Sequence, residues 1–132
     1  MSPPDFKRPT ELELEILKVF WRESPLAVRD VRSRLETDAA RPLAHTSVIT
    51  ILNIMHRKGF LTRKKVGNAF LFSPKVARQS VVGRMMDDLL SRVFNGSSAE
   101  MALNLIETSD LHADELAELR RLINRKSKER KR

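Results

Sequence analysis

From Leu12 onward, apolar positions recur every three to four residues. Leu12, Ile16, Val19 and Phe20 fall on one side of a helix, while Glu11, Glu15 and Lys18 fall elsewhere. Thr10 opens this helix, because Thr10 with Glu13 makes a capping box in which each side chain satisfies an otherwise orphaned backbone N–H. Glu23-Ser24-Pro25 ends it, since a residue before proline is pushed out of helical geometry. Val28, Val31 and Leu35 predict a short second helix over 28–35, and residues 36–42 predict a polar turn. A third helix is predicted from about Leu43 or Thr46 to Lys58. Its inward positions are Val48, Leu52 and Met55 with Ile51 beside them, and Gly59 supplies the left-handed residue past its end.

The period then changes. Residues 60–63 and 69–72 are strand-like runs around a basic loop over 64–68, in which Gly67-Asn68 supplies turn chemistry, and Pro74 closes the hairpin. The rest is helical. A helix over 76–95 carries an apolar stripe through Val81/Val82, Met85/Met86, Leu89/Leu90 and Val93/Phe94, and Asn95-Gly96-Ser97 terminates it. Two more helices are predicted over about 98–108 and 113–125. Residues 1–9, rich in proline, predict an unstructured arm, and residues 125–132 a basic tail. No internal repeat is visible.

Three helices followed by a hairpin with a basic tip is the order of a winged helix-turn-helix. The predicted class is therefore mainly α with a small β-hairpin: a winged-helix DNA-binding domain over 10–75, then a helical dimerisation domain over 76–124. In such a domain the third helix enters the major groove and the wing lies over neighbouring phosphates. That helix needs an outer face of short polar side chains, and here it is Thr46, Ser47, Thr50, Asn53 and Arg57. Hydroxyls can bond bases or phosphates, a Thr methyl can touch a thymine methyl, and Asn can pair with adenine. Arg63, Lys64, Lys65 and Asn68 are the expected wing and phosphate ligands.

Charge sharpens this picture. Residues 1–75 hold 14 basic and 8 acidic side chains, residues 76–119 hold 3 and 8, and residues 120–132 hold 8 and 1, within a net charge of +8. A basic front, an acidic middle and a basic end suit a polyanion-binding module joined to a self-associating one. No Asp or Glu lies between Asp38 and Asp87, a stretch that covers the whole expected contact surface. The 5% aromatic content suits a helix-rich core of Leu, Ile, Val and Met. With no cysteine the chain has no disulfide and no thiolate metal site. No apolar run approaches the roughly 20 residues needed to span a bilayer, so no membrane insertion and a cytoplasmic location are expected.

The ordered motifs resemble those of the penicillinase-repressor (BlaI/MecI-type) family. The run from Glu11 to Trp21 resembles the family's opening helix, and Val28-Arg29-Asp30-Val31 its second. Leu43-Ala44-His45-Thr46-Ser47-Val48-Ile49-Thr50-Ile51-Leu52 is similar to its third helix, and Lys58-Gly59-Phe60-Leu61-Thr62-Arg63 with Gly67-Asn68-Ala69-Phe70 to its wing. Phe94-Asn95-Gly96-Ser97 and Glu115-Leu116-Ala117-Glu118-Leu119-Arg120 are similar to its dimerisation region.

The resemblance implies a homodimeric repressor on a palindromic operator. It implies release by proteolysis in the dimerisation region, through a membrane sensor-protease pathway that answers antibiotic. The expected dimer contacts are Val82, Met85, Met86, Leu89, Val93, Leu103, Ile106 and Leu119, and the expected cleavage bond is Asn104–Leu105. The chain departs from the family pattern at several points. It has Leu105 where the best-known members have Phe, and His45 where Tyr is common. Ile54 replaces a basic residue and Asn68 replaces Arg. Weaker binding or a shifted operator is the expected result.

Other readings are open to the same residues. A small-molecule-sensing winged-helix regulator, released by ligand, has the same pattern in sequence. An RNA-binding module would show exposed aromatics, and a membrane-surface helix a basic face beside its apolar one. Neither pattern is evident. His45, His56 and His112 are too dispersed to suggest a metal site, no catalytic spacing surrounds Ser, His or Asp, and no cofactor is expected. Trp21 and the Met85-Met86 pair read as packing residues.

Overall fold

Thr10 begins the fold as its spacing predicts. Its hydroxyl accepts from the Glu13 N–H at 3.1 Å, and Glu13 Oε1 accepts from the Thr10 N–H at 2.9 Å. The computed structural model describes residues 8–131, so most of the expected arm over 1–9 lies outside the described residues. Within that arm Pro9 is buried, and Arg8 pairs with Asp88 at 2.8 Å.

The elements are α1 (Glu11–Arg22), β1 (Leu26–Ala27), α2 (Val28–Asp38), α3 (His45–Lys58), β2 (Leu61–Val66), β3 (Ala69–Pro74), α4 (Arg78–Val93), α5 (Ser98–Thr108) and α6 (Ala113–Arg130). The order matches the winged-helix expectation, with four differences.

First, α2 continues one turn beyond Leu35, taking in residues expected to form a turn. The Thr37 hydroxyl donates to Ser33 O at 3.0 Å, and Leu35 O accepts from both Ala39 and Arg41. Second, a strand absent from the sequence reading, β1, pairs with β3 through Leu26↔Phe72 and Ala27↔Leu71, giving a three-stranded antiparallel sheet in the order β1-β3-β2.

Third, Lys64, Lys65 and Val66 belong to β2 rather than to a loop. The ladder runs to Val66↔Ala69, leaving a two-residue turn of Gly67 and Asn68. Its positive φ falls on Gly67, at +62°, the first central position, where a type II′ turn requires glycine. Fourth, α6 runs to Arg130, so most of the expected tail is helix. Arg and Lys are good helix formers and are favoured at a helix C-terminus, where the exposed carbonyls carry negative charge.

The core of the three-helix unit is built from Ile16, Leu17, Val19 and Phe20 of α1, Val31 and Leu35 of α2, and Val48, Leu52 and Met55 of α3. Leu26, Phe60, Leu61 and Phe72 close it from the sheet side. Gly59, at φ +88°, ends α3 and turns the chain into Phe60, whose N–H bonds Met55 O at 2.9 Å. Trp21 packs on this core and donates from its indole N–H to Val76 O at 3.0 Å, which ties the exit of the wing to α1.

The chain divides into two compact units, one through Asp88 and one from Leu89. In the second, α5 is capped by Ser97, whose hydroxyl accepts from the Glu100 N–H at 3.1 Å. The N–H of His112 donates to Glu115 at 3.0 Å and opens α6. Neither α5 nor α6 has a buried residue.

Candidate nucleic-acid interface

Position on α3 follows from helical spacing. Val48, Leu52 and Met55 are fully buried, which turns Thr46, Thr50, Asn53 and Arg57 outward as a stripe at i, i+4, i+7 and i+11. Thr46, Ser47, Thr50 and Arg57 are exposed, and Asn53 is half-buried. The Thr50 hydroxyl donates to Thr46 O at 3.0 Å, so its hydrogen is spent on the helix while an oxygen lone pair and the methyl group remain for a ligand.

Neighbouring elements hold α3 near both ends. At its start, Arg32 Nε of α2 donates to Leu43 O at 2.9 Å. At its end, Lys58 Nζ lies 3.1 and 2.9 Å from the two carboxylate oxygens of Glu13 in α1. Glu13 is 4% exposed and is the buried charged residue of this core. Burial opposes its ionisation, but the Thr10 backbone N–H and the Lys58 ammonium outweigh that and hold its carboxyl below the usual value.

The hairpin is exposed at Arg63, Lys64, Lys65 and Asn68. The ladder pairs Arg63 with Phe72 and Lys65 with Phe70, so these four residues share one face of the hairpin, and Lys64 lies on the other. Arg63 is held by two neighbours. Its Nη1 donates to Asn53 Oδ1 at 2.8 Å, and its guanidinium carbon lies 4.8 Å from the centre of the Phe70 ring. Sequence spacing does not suggest this bridge between the wing and α3. A groove of about 570 Å³ opens here, with Val28, Ile49 and Phe70 among its apolar walls and Arg29, His45, Asn53, Arg63 and Asn68 among its polar ones.

Among the expected dimer contacts, Val82, Met85, Ile106 and Leu119 are half-buried, and Met86, Leu89, Val93 and Leu103 are exposed within the single chain. Asn104 and Leu105 are exposed in the middle of α5, where Asn104 O accepts from the Thr108 hydroxyl at 2.7 Å. No group of three or more His, Asp or Glu among the described residues is placed to hold a metal ion. No helix among them is long and apolar enough to cross a membrane.

Similarity to known proteins covers nearly the whole chain. A family model described as "Penicillinase repressor" matches residues 9–125. The chain is 28% identical over 115 residues to a "Penicillinase repressor" of Bacillus licheniformis, covering 86% of this chain and 88% of that protein. It is 30% identical over 115 residues to "Transcriptional regulator BlaI" of Mycobacterium tuberculosis (strain CDC 1551 / Oshkosh), covering 86% and 80%. Among solved structures, the solution structure of the DNA binding domain of the repressor BlaI is 27% identical, covering 55% of this chain and 88% of that one with a TM-score of 0.47.

Proposed function

We propose that this chain, which belongs to the penicillinase repressor family, is a cytoplasmic transcriptional repressor that binds double-stranded DNA as a homodimer on a palindromic operator. The observation that carries the reading is the outward stripe of Thr46, Thr50, Asn53 and Arg57 on α3, tied by a hydrogen bond to a basic wing within a stretch without Asp or Glu. Short polar side chains on a protruding helix meet base edges, and cations on an adjoining hairpin meet phosphates. With Thr46, Ser47, Thr50, Asn53 and Arg57 as base readers, Arg63, Lys64, Lys65 and Asn68 frame the wing side.

Self-association falls to α4, α5 and α6. They expose Met86, Leu89, Val93, Leu103 and Leu105, a density of apolar side chains that a second copy would cover. Val82 and Met85 of α4, Ile106 of α5 and Leu119 of α6 are half-buried in the single chain and are assigned to the same role. Two half-site contacts joined in one dimer bind far more tightly than either alone. Release follows from losing that linkage. A cut at Asn104–Leu105, triggered through a membrane sensor-protease, would sever α6 and return the DNA-binding unit to its weaker monomeric affinity.

The test is to sequence the DNA fragments retained by the purified protein from its source genome. Recovery of a shared inverted repeat supports the reading. Retention of fragments without any shared sequence refutes it.

A further inference from the structure

Among the apolar residues of α3, Ile49 is the one left exposed. Val48, Leu52 and Met55 are fully buried and Ile51 and Ile54 are half-buried, whereas Ile49 keeps 36% of its surface open. It stands early in the helix, with His45 one turn before it and Asn53 one turn after it on the same line. Phe70 of β3, 41% exposed, and Val28 of α2 share a groove with it, so three elements each supply an apolar wall. Arg29, His45 and Arg63 stand among the polar walls, and none of the lining residues is Asp or Glu. The charge suits a nucleic-acid strand. The apolar walls suit a group on that strand that makes no hydrogen bond.

The major-groove edges of the bases carry one such distinguishing group, the 5-methyl of thymine. The other features that tell the base pairs apart are hydrogen-bond donors and acceptors, and pressing one of those against Ile49 would desolvate it without a partner. The isoleucine side chain has neither donor nor acceptor, so it discriminates by apolar contact alone. Residues in the N-terminal part of a recognition helix are the ones that reach base edges, and Ile49 lies in the first half of α3.

We propose that Ile49 is a specificity-determining residue that selects thymine through its 5-methyl group, with Val28 and Phe70 completing the apolar walls of the groove that receives it. The inference rests on α3 being the base-reading helix, and it adds to the polar stripe a residue that reads without hydrogen bonds.

The experiment starts from the operator recovered by selection with the full-length protein. Each thymine is replaced singly by deoxyuridine, which removes the methyl group and leaves the hydrogen-bonding edge unchanged. Affinities are then measured at one salt concentration for the wild type, Ile49→Ala and Ile49→Val. Ile49 is outside the buried core, so its truncation leaves the fold intact. At one thymine of each half-site, deoxyuridine should weaken wild-type binding about 4-fold, the worth of one buried methyl-sized group, and about 15-fold when both half-sites carry it. Ile49→Ala should bind thymine and deoxyuridine alike at that position and keep the wild-type response at every other. Ile49→Val should retain most of the preference. Cytosine and 5-methylcytosine placed at the same position should differ in the same direction, and only while Ile49 is present.

Two results overturn the inference alone. A shared operator in which every thymine tolerates deoxyuridine leaves Ile49 with no methyl group to read. A deoxyuridine penalty of equal size in the wild type and in Ile49→Ala assigns the methyl effect to something other than Ile49. Selection that yields no shared sequence overturns the base-reading assignment itself, and the inference with it.

Discussion

Replacing Glu13 with Gln isolates the charge that fastens α3 to α1. Glu13 accepts from the Thr10 N–H and pairs with Lys58 at 2.9 Å, with 4% of its surface exposed. Gln keeps the shape and can still accept from Thr10, but the Lys58 ammonium loses its anion. Lys58 is about one-third exposed and can turn to water, so no charge is stranded in the core. The loss should be near that of a hydrogen bond to a charged group, about 1.5–3 kcal/mol. In a domain of this size that lowers the melting temperature by roughly 4–8 °C per kcal/mol.

The dependence on pH identifies the cause. The folded state holds the Glu13 carboxyl below its ordinary value, so near pH 4 the unfolded chain binds more protons there, and stability rises with pH. The difference between wild type and Glu13→Gln should be full at pH 7 and stay so down to the ordinary glutamate value, about 4.3. It should then shrink as pH falls through the lowered folded value. Thermal melts followed by circular dichroism between pH 3 and 7 make the comparison. A difference that stays constant to pH 3, or one that widens as pH falls, would refute the assignment of this stability to ionised Glu13.

Leu89→Asp or Val93→Asp should convert the proposed dimer to monomer in sedimentation, because the two side chains are 44% and 60% exposed in one chain and the charge would enter the proposed interface; an unchanged dimer would count against α4. Thr50→Ala and Asn53→Ala should each cut discrimination between operator and scrambled DNA by about 1–3 kcal/mol. Lys64→Ala and Lys65→Ala should instead weaken all sequences alike and lower the salt slope by about one each, and helix variants that bind both DNAs in the wild-type ratio would sink the assignment. In cells given a cell-wall antibiotic, mass spectrometry should find fragments ending at Asn104. Derepression with the chain intact would exclude proteolysis and favour ligand release.

Burial is what periodicity reports, and the differences between sequence and structure follow from that. The helices with a buried stripe, α1 and α3, were legible almost to the residue, as was the capping box at Thr10. The last turn of α2 and the end of α6 bury little or nothing, so no apolar repeat marked them, and their charged residues suggested turn and tail. In β2 only Leu61 is buried, so alternation vanishes through Lys64, Lys65 and Val66, and the ladder alone reveals them as strand. A two-residue strand such as β1 has no period to read. It exists because β3 offers it a free edge.

The outer face of α3 was legible because its chemistry lies on one element, whereas the contacts that orient it join residues far apart in the chain. Glu13 meets Lys58 across 45 positions, Arg32 meets Leu43 across 11, and Arg63 meets Asn53 across 10. All three use a cation as donor, and all three converge on α3 or its lead-in. Lys58, Arg32 and Arg63 are therefore engaged in aiming the helix, and each has less to offer a phosphate than its charge suggests. Arg57, Lys64 and Lys65 are exposed and remain better placed for that role. Since the salt dependence of DNA binding follows the number of phosphates neutralised, the slope should track this smaller set rather than all the basic residues of the domain. The same charge that makes the front of the chain look like a polyanion-binding surface is in part the framework that positions the outer face of α3.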